Sequence, residues 1–323
     1  MPAADVRWPT PLTRQNPWYP GQMGVPGTDT ETGLRLNTLG TIFYVDPNYP
    51  GVSDARDGTN PTDPLRTVAA ALAKCQAYAG DVVAVMANSN WQYGDRTTSR
   101  LVDISEEVTV TVPGVRIVGI SPSSALGVYW QPIQNDGVCI TVDAADVTIE
   151  GFAFWNEDFT GGTGIFAEWT NVSTIPGAVQ GENMIVRHCF FGGDLDYGIA
   201  LDYSWYDYIH DCYFIGMDIA AIHNLATSGD PDYCQVFHNY FVGNALAIDL
   251  QGVDGSMIHQ NWIIGDPTVA NSYINLNGGG GNLVSQNSLV STLAQYVGGN
   301  CNSNVTDGWV QNYCVDGPSV ALP

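Results

Sequence analysis

The chain has 323 residues and a formal net charge of −23, because 33 acidic residues face only ten lysines and arginines. Hydrophobic residues make up 45% of it, which supplies a sizeable core and excludes wholesale disorder. Binding to nucleic-acid phosphates or to anionic lipid surfaces needs clustered Lys and Arg, yet no basic residue follows Arg187. The composition therefore argues against nucleic-acid and membrane partners.

The first residues lack the apolar segment of a secretion signal, and no run of 18 apolar residues follows. We therefore expect a protein made in a cytoplasm. The seven cysteines are an odd number and contain no C-x-x-C pair, which favours buried thiols over a disulfide framework or a zinc site.

Residues 1–40 differ in composition from the rest of the chain. They contain six prolines, with Trp8, Trp18 and Tyr19 among them, and show little hydrophobic periodicity. This composition predicts an extended arm and not a folded domain. Because free termini fray unless something holds them, we expect Trp8, Trp18 and Tyr19 to dock on a partner.

Residues 41–100 are predicted to form an N-terminal cap for the body that follows. An apolar strand at 41–45 precedes a segment with helix signals, in which Asp63 suits the N-cap and Pro64 the first helical position. Apolar residues then recur at helical spacing until Gly80, after which residues 81–86 predict a second strand.

From residue 101 to 316 a short motif recurs every 22 to 27 residues. Its fourth position is occupied in turn by Cys189, Cys212, Asn239, Asn261, Asn287 and Asn312. A second strand repeats in step, beginning at Ile165, Ile199, Ile222, Ile248 and Ile274. Repeats this short cannot bury an apolar face alone, whereas stacked turns bury a continuous core. The pattern predicts a right-handed parallel β-helix with an inward asparagine ladder, followed by a tail at 317–323.

The sequence resembles the pectate-lyase-like right-handed parallel β-helix superfamily over residues 40 to 316. The motifs behind the resemblance are Phe43-Tyr-Val-Asp46, Asp54, Asp57-Gly-Thr59, Pro64-Leu-Arg-Thr67 and Gly80-Asp-Val-Val-Ala-Val85, together with the repeats. Phage virion and spike-type members are the most similar. The resemblance implies the fold more than the function, since the superfamily contains lyases, hydrolases and epimerases as well as non-catalytic spikes and fibres.

Residues Asp202, His223 and Asp249 are the catalytic candidates if the protein is an enzyme. Stacking should place Ala200, His223, Asp249 and Asn275 in one outward column, with Asp202 on an adjacent turn. Lyase chemistry is disfavoured because the late turns lack any Arg or Lys, and the motifs typical of polygalacturonases are absent. A structural His–Asp hydrogen bond in a polar ladder is the favoured interpretation.

A second outward column is predicted beside the motif. It holds His188, Asp211, His238, Gln260, Gln286 and Gln311, flanked by Arg187, His210 and His259. Stacked turns place such side chains in a line and not in a tetrahedron, so we predict neither a metal site nor a cofactor. Calcium binding by the aspartates near Asp54 or Asp194 stays open.

Two functions remain after these exclusions. The favoured one is a structural virion protein, such as a head decoration, spike or fibre. It would form a homotrimer and dock through its arm on a capsid or tail acceptor protein. The alternative is a glycan-cleaving hydrolase or lyase, like a tailspike depolymerase acting on a surface glycan.

Overall fold

The computed structural model describes residues 38, 40–87, 102–120, 128–168, 183–224, 230–264, 273–290, 301–302 and 306–314, and the backbone of 317–318. The predicted arm lies outside these residues except for 38 and 40, so Trp8, Trp18 and Tyr19 are outside them too. Strands in the described part of the chain form three sheets of ten, ten and eight strands, here called sheets A, B and C.

From β2 to β25 each turn of the chain contributes one strand to each sheet. Sheet A contains β1 (Ile42–Val45), β2 (Val82–Met86), β5 (Arg116–Ile120), β8 (Thr148–Glu150), β11 (Ile185–Arg187), β14 (Tyr208–His210), β17 (Gln235–Phe237), β20 (Met257–His259), β23 (Leu283–Ser285) and β26 (Gly308–Val310). Sheet B contains β3 (Ile104–Ser105), β6 (Val128–Gln131), β9 (Phe152–Asn156), β12 (Phe190–Gly193), β15 (Tyr213–Ile215), β18 (Tyr240–Val242), β21 (Trp262–Ile264), β24 (Ser288–Leu289), β27 (Tyr313–Cys314) and β28 (Gly317–Pro318). Sheet C contains β4 (Val108–Val110), β7 (Val138–Val142), β10 (Thr163–Ala167), β13 (Tyr197–Leu201), β16 (Ala220–Asn224), β19 (Leu246–Asp249), β22 (Ile274–Asn275) and β25 (Cys301–Asn302).

The strand pairing confirms both registers predicted from the repeats. In sheet C the isoleucines stack in the order Ile165, Ile199, Ile222, Ile248 and Ile274. In sheet A the partners are Val186, Ile209, Val236, Ile258 and Val284. Nearly every pair is parallel, and parallel crossovers are right-handed. The chain is thus a right-handed parallel β-helix, as predicted.

The core is a continuous column of apolar side chains between the three sheets. On sheet B, alternate residues point inward, and four phenylalanines stack along the axis with ring centroids 5.1, 4.7 and 4.9 Å apart: Phe154, Phe191, Phe214 and Phe241. All four are fully buried. Such stacks add to the free energy gained from area burial, so the interior resists changes of register.

The helix in the cap begins later than predicted. Helix α1 spans Val68–Leu72, and its N-cap is Thr67, whose side chain accepts the Ala70 amide; the expectation of Asp63 as N-cap was wrong. The reason lies in the sheet, because Leu65 forms a parallel bridge with Val45 and is therefore extended.

The two ends of the β-helix are closed in different ways. At the first strand, the Tyr44 amide donates to the Gly58 carbonyl and the Leu65 amide to the Tyr44 carbonyl, so a loop covers the edge of β1. At the other end β28 pairs antiparallel with β27, which ends the parallel stacking in sheet B. No helix within the described ranges is long and apolar enough to cross a membrane.

Candidate functional site

His223 and Asp249 form a hydrogen-bonded pair on the outer side of sheet C. The register pairs Ala200 with His223, His223 with Asp249, and Asp249 with Asn275, which confirms the predicted column. The His223 Nδ1 atom lies 2.9 Å from Asp249 Oδ2. The Asp249 side chain is only 4% exposed, whereas that of His223 is 18% exposed.

The carboxylate of Asp249 is fully engaged by its neighbours. Its second oxygen accepts from Gln251 Nε2 at 3.0 Å and from Asn275 Nδ2 at 2.6 Å. Burial tends to raise the pKa of Asp249, but the hydrogen bonds from His223, Gln251 and Asn275 outweigh it, so the pKa lies below its ordinary value. Asp249 therefore stays ionised and is unsuited to act as a general acid.

A third residue, Tyr197, packs against the imidazole from outside the column. Its ring stacks on that of His223, with centroids 5.1 Å apart and planes 18° apart. Burial, followed by the charges of Asp196 and Asp249, raises the pKa of Tyr197. The sequence analysis missed Tyr197 because its strand partner is Ala220 and not His223. Between Tyr197 and Asp249, the ring of His223 has a fixed orientation.

Asp202 lies apart from this pair. Its backbone amide donates to the Ala167 carbonyl. Among the described residues, no hydrogen bond joins its side chain to His223 or Asp249. Burial raises the pKa of Asp202, and one of its oxygens is buried with no hydrogen-bond partner among the described residues. The structure thus brings together two of the three catalytic candidates.

The second predicted column lies at the corner between sheets A and B. Its members share a left-handed backbone with φ between 52° and 57°: His188, Asp211, His238, Gln260, Gln286 and Gln311. Their polar tips are joined from turn to turn, with His238 Nε2 2.9 Å from Gln260 Oε1 and the Gln260 amide donating to Gln286 at 3.1 Å. The column is a line of outward polar groups, as predicted; His188 and Asp211 are partly buried, whereas the later members are exposed.

Three imidazoles surround Asp211 within this corner. His210 Nδ1 lies 2.8 Å from the carboxylate, while nitrogens of His188 and His238 lie 4.0 and 3.9 Å away. Burial lowers the pKa of His188 to about 4, although the Asp211 charge opposes it. The described part of the chain contains no group of three or more ligating side chains arranged to hold a metal ion.

A buried ion pair that the sequence analysis overlooked lies on sheet A. Glu150 is 1% exposed and contacts the guanidinium groups of Arg116 and of Arg187, the latter at 2.6 Å. Glu150 and Arg187 are strand partners on adjacent turns, but they are 37 residues apart in the chain, outside the repeat period, so the sequence alone did not align them. Its partners neutralise Glu150, so it acts in the scaffold.

The similarity of this chain to known proteins is weak in both sequence and structure. The sequence matches no protein-family model, and no curated protein matches it. Among solved structures, it is similar to a rhamnogalacturonan lyase at 12% identity, covering 84% of this chain and 87% of that chain, with a TM-score of 0.40. The fold assignment rests on the three parallel sheets themselves.

Proposed function

We propose that this protein is a structural β-helix, a rigid rod that serves as a head decoration, spike or fibre of a virion. The observation that carries the proposal is the buried polar ladder between sheets A and B. Asn239, Asn261 and Asn287 each bind the turns before and after them, so the turns form one stiff body. Residues 1–40, with Trp8 and Trp18, would anchor this rod on a capsid or tail acceptor protein.

The ladder is built for rigidity. Asn261 Oδ1 accepts from the Asn239 backbone at 3.0 Å and from Asn239 Nδ2 at 3.1 Å, while Asn261 Nδ2 donates to Asn287 Oδ1 at 3.0 Å and to the Val236 carbonyl at 2.9 Å. Asn312 continues the pattern. Every rung is buried, so a local opening would leave several polar groups without partners.

Electron microscopy of particles from the native source tests the proposal. We expect symmetric copies of the protein on a capsid or tail. A Trp8→Ala/Trp18→Ala double variant should fail to attach while melting at the wild-type temperature, and Tyr233→Ala, at a 50% exposed tyrosine of the body, should attach normally. Protein found only free of particles would contradict the structural role.

A second candidate function is glycan cleavage at His223, and one observation favours it. Because Asp249 binds Nδ1 of the ring, Nε2 is the nitrogen left for a ligand, and the orienting carboxylate is the arrangement that suits a general base. The acidic protein would repel a uronate chain, so the substrate would be an uncharged glycan.

The Asp249→Asn variant tests this candidate on a panel of neutral polysaccharides. An amide at position 249 favours the wrong imidazole tautomer, so cleavage should fall by roughly a thousandfold or more. Asp202→Asn is the matched control, because Asp202 forms no hydrogen bond with His223 or Asp249, and it should retain activity. A wild-type protein that releases no reducing ends from any glycan would eliminate the enzymatic candidate.

A further inference from the structure

The outer side of sheet B carries two parallel columns of apolar side chains. The aromatic column contains Phe190, Tyr213, Tyr240 and Trp262, which are partners in successive strands. The aliphatic column contains Ile215, Val242 and Ile264, which pair in the same way. We refer to these seven side chains as the outer B face.

These side chains point away from the core. Their chain neighbours Phe214, Phe241 and Ile263 are fully buried, whereas Trp262 is 48% and Ile215 36% exposed. Contiguous apolar surface of this kind is uncommon on a monomer and marks an interaction site. The column also continues beyond a serine to Tyr313, which is 54% exposed.

The outer B face carries no formal charge, although the chain carries −23. None of the strands β12, β15, β18, β21, β24 and β27 contains an acidic, basic or histidine residue. Along the late turns its border is the neutral line of Gln260, Gln286 and Gln311, joined by amide hydrogen bonds. The same border carries His188 and Asp211 on the early turns, so the uncharged part of the face is its late half. There, an apolar centre with a polar rim has the usual anatomy of a protein interface.

The arrangement of the rings favours a protein partner over a sugar. Tyr240 and Trp262 stack on each other along the helix axis, with centroids 6.0 Å apart and planes 29° apart. In this pair each ring covers one face of the other, whereas a sugar ring binds on an uncovered aromatic face. The neighbouring column of Ile215, Val242 and Ile264 offers sugar hydroxyls no hydrogen bond.

We infer that the outer B face binds a second copy of this chain, side by side. Two copies that each carry −23 repel each other wherever acidic surfaces meet, so they can approach closely only over an uncharged face. A flat sheet packs on another at about 10 Å, close enough to bury the rings of Trp262 and Tyr240. The inference is independent of where the protein functions.

Sedimentation velocity of the full chain over a range of concentrations and salt tests this inference. Wild type should assemble reversibly, and added NaCl should tighten the assembly because it screens the repulsion between copies. Trp262→Glu should raise the dissociation constant about a hundredfold or more, because it places a charge at the centre of the interface. Tyr233→Glu, at an equally exposed ring outside the face, should assemble like wild type.

Circular dichroism verifies that each variant is folded, and Tyr313→Glu replaces Trp262→Glu if the latter unfolds. A wild-type chain that stays monomeric at all concentrations would overturn the inference. So would a Trp262→Glu variant that assembles normally. A monomer whose tryptophan fluorescence responds to added cellohexaose would assign the outer B face to sugar binding instead.

Discussion

Two polar ladders flank the three-residue strands of sheet A, and they are built differently. After each strand comes the amide ladder, Asn239, Asn261, Asn287 and Asn312, which is uniform. Before each strand comes the mixed ladder, whose rungs are Asp207, Cys234, Ser256, Asn282 and Asp307. Both accept backbone amides from the preceding turn, so both stabilise the same stacking of turns.

The difference between the ladders is the second hydrogen bond. An asparagine side chain both accepts and donates hydrogen bonds. Asn282 therefore donates to the Val253 carbonyl, as Asn261 of the amide ladder donates to the Val236 carbonyl. Asp207 accepts the Met184 amide with one oxygen, and its other oxygen is buried with no partner among the described residues. A carboxyl group in a position suited to an amide is therefore the weak rung.

The largest expected effect is the loss of a central rung of the amide ladder. Asn261→Ala leaves the Asn239 backbone amide, one Asn239 side-chain hydrogen and the Val236 carbonyl without partners, so we expect a loss of about 5 kcal/mol. Urea denaturation followed by circular dichroism measures it. A loss below about 1 kcal/mol would show that water replaces the missing amide.

Asp207→Asn should strengthen the mixed ladder. Burial raises the pKa of Asp207 to about 7, against the opposing hydrogen bonds from Ser204 and Met184. A folded-state pKa above the ordinary value means that the folded state prefers the protonated acid, so its stabilising contribution is present at low pH and is lost as pH rises through about 7.

The variant should therefore exceed wild type by about 4 kcal/mol at pH 8, and this advantage should vanish near pH 4. Denaturation midpoints across that pH range provide the measurement. Asp218→Asn, an acidic residue outside both ladders, serves as the control. If wild type and Asp207→Asn show the same dependence on pH, the charge of Asp207 is not the weakness of the mixed ladder.

A smaller effect is expected from extending the amide ladder upward by one rung. Cys212 occupies the column next to Asn239, and its thiol lies 3.7 Å from the Val186 carbonyl, a weak contact. Cys212→Asn should replace it with a full hydrogen bond and stabilise the fold by about 1 kcal/mol. Cys212→Ala, which adds no donor, should instead destabilise it in the same assay.

The smallest effect is expected at the residue just before a rung. Gln260→Ala removes an exposed amide from the corner column, keeps a Cβ at the left-handed position and should change stability by less than about 0.5 kcal/mol. Its neighbour Asn261 provides the contrast. A loss at Gln260 comparable with that at Asn261 would mean that the outer line of amides shares in the rigidity.

Much of the candidate site could be predicted from the repeats. The alignment of turns placed His223 beside Asp249, because a strand partner is fixed once the period is known. It could not place Tyr197 over His223, since that contact depends on how the ring leans from a neighbouring strand. Nor could it separate Asp202, which follows β13 and forms no hydrogen bond with the pair.

The mixed ladder shows a further limit of sequence analysis. Its rungs lie two residues before the first residue of each motif. They are acid, thiol, hydroxyl and amide side chains, which have in common only a small size and the ability to accept a hydrogen bond. The first residue of helix α1 also depended on tertiary structure. Leu65 joined the sheet through Val45 and moved the N-cap to Thr67.

By itself the sequence determined the solenoid, its period, the inward aliphatic columns and the asparagine ladder, because identical side chains at one period can be satisfied only by stacking. The tertiary structure decided which polar groups share a partner and which outward surface is free of charge. Those properties belong to side chains on different turns, about 25 residues apart in the chain and one strand spacing apart in space. The distances between these side chains are set only when the chain has folded and its turns are stacked.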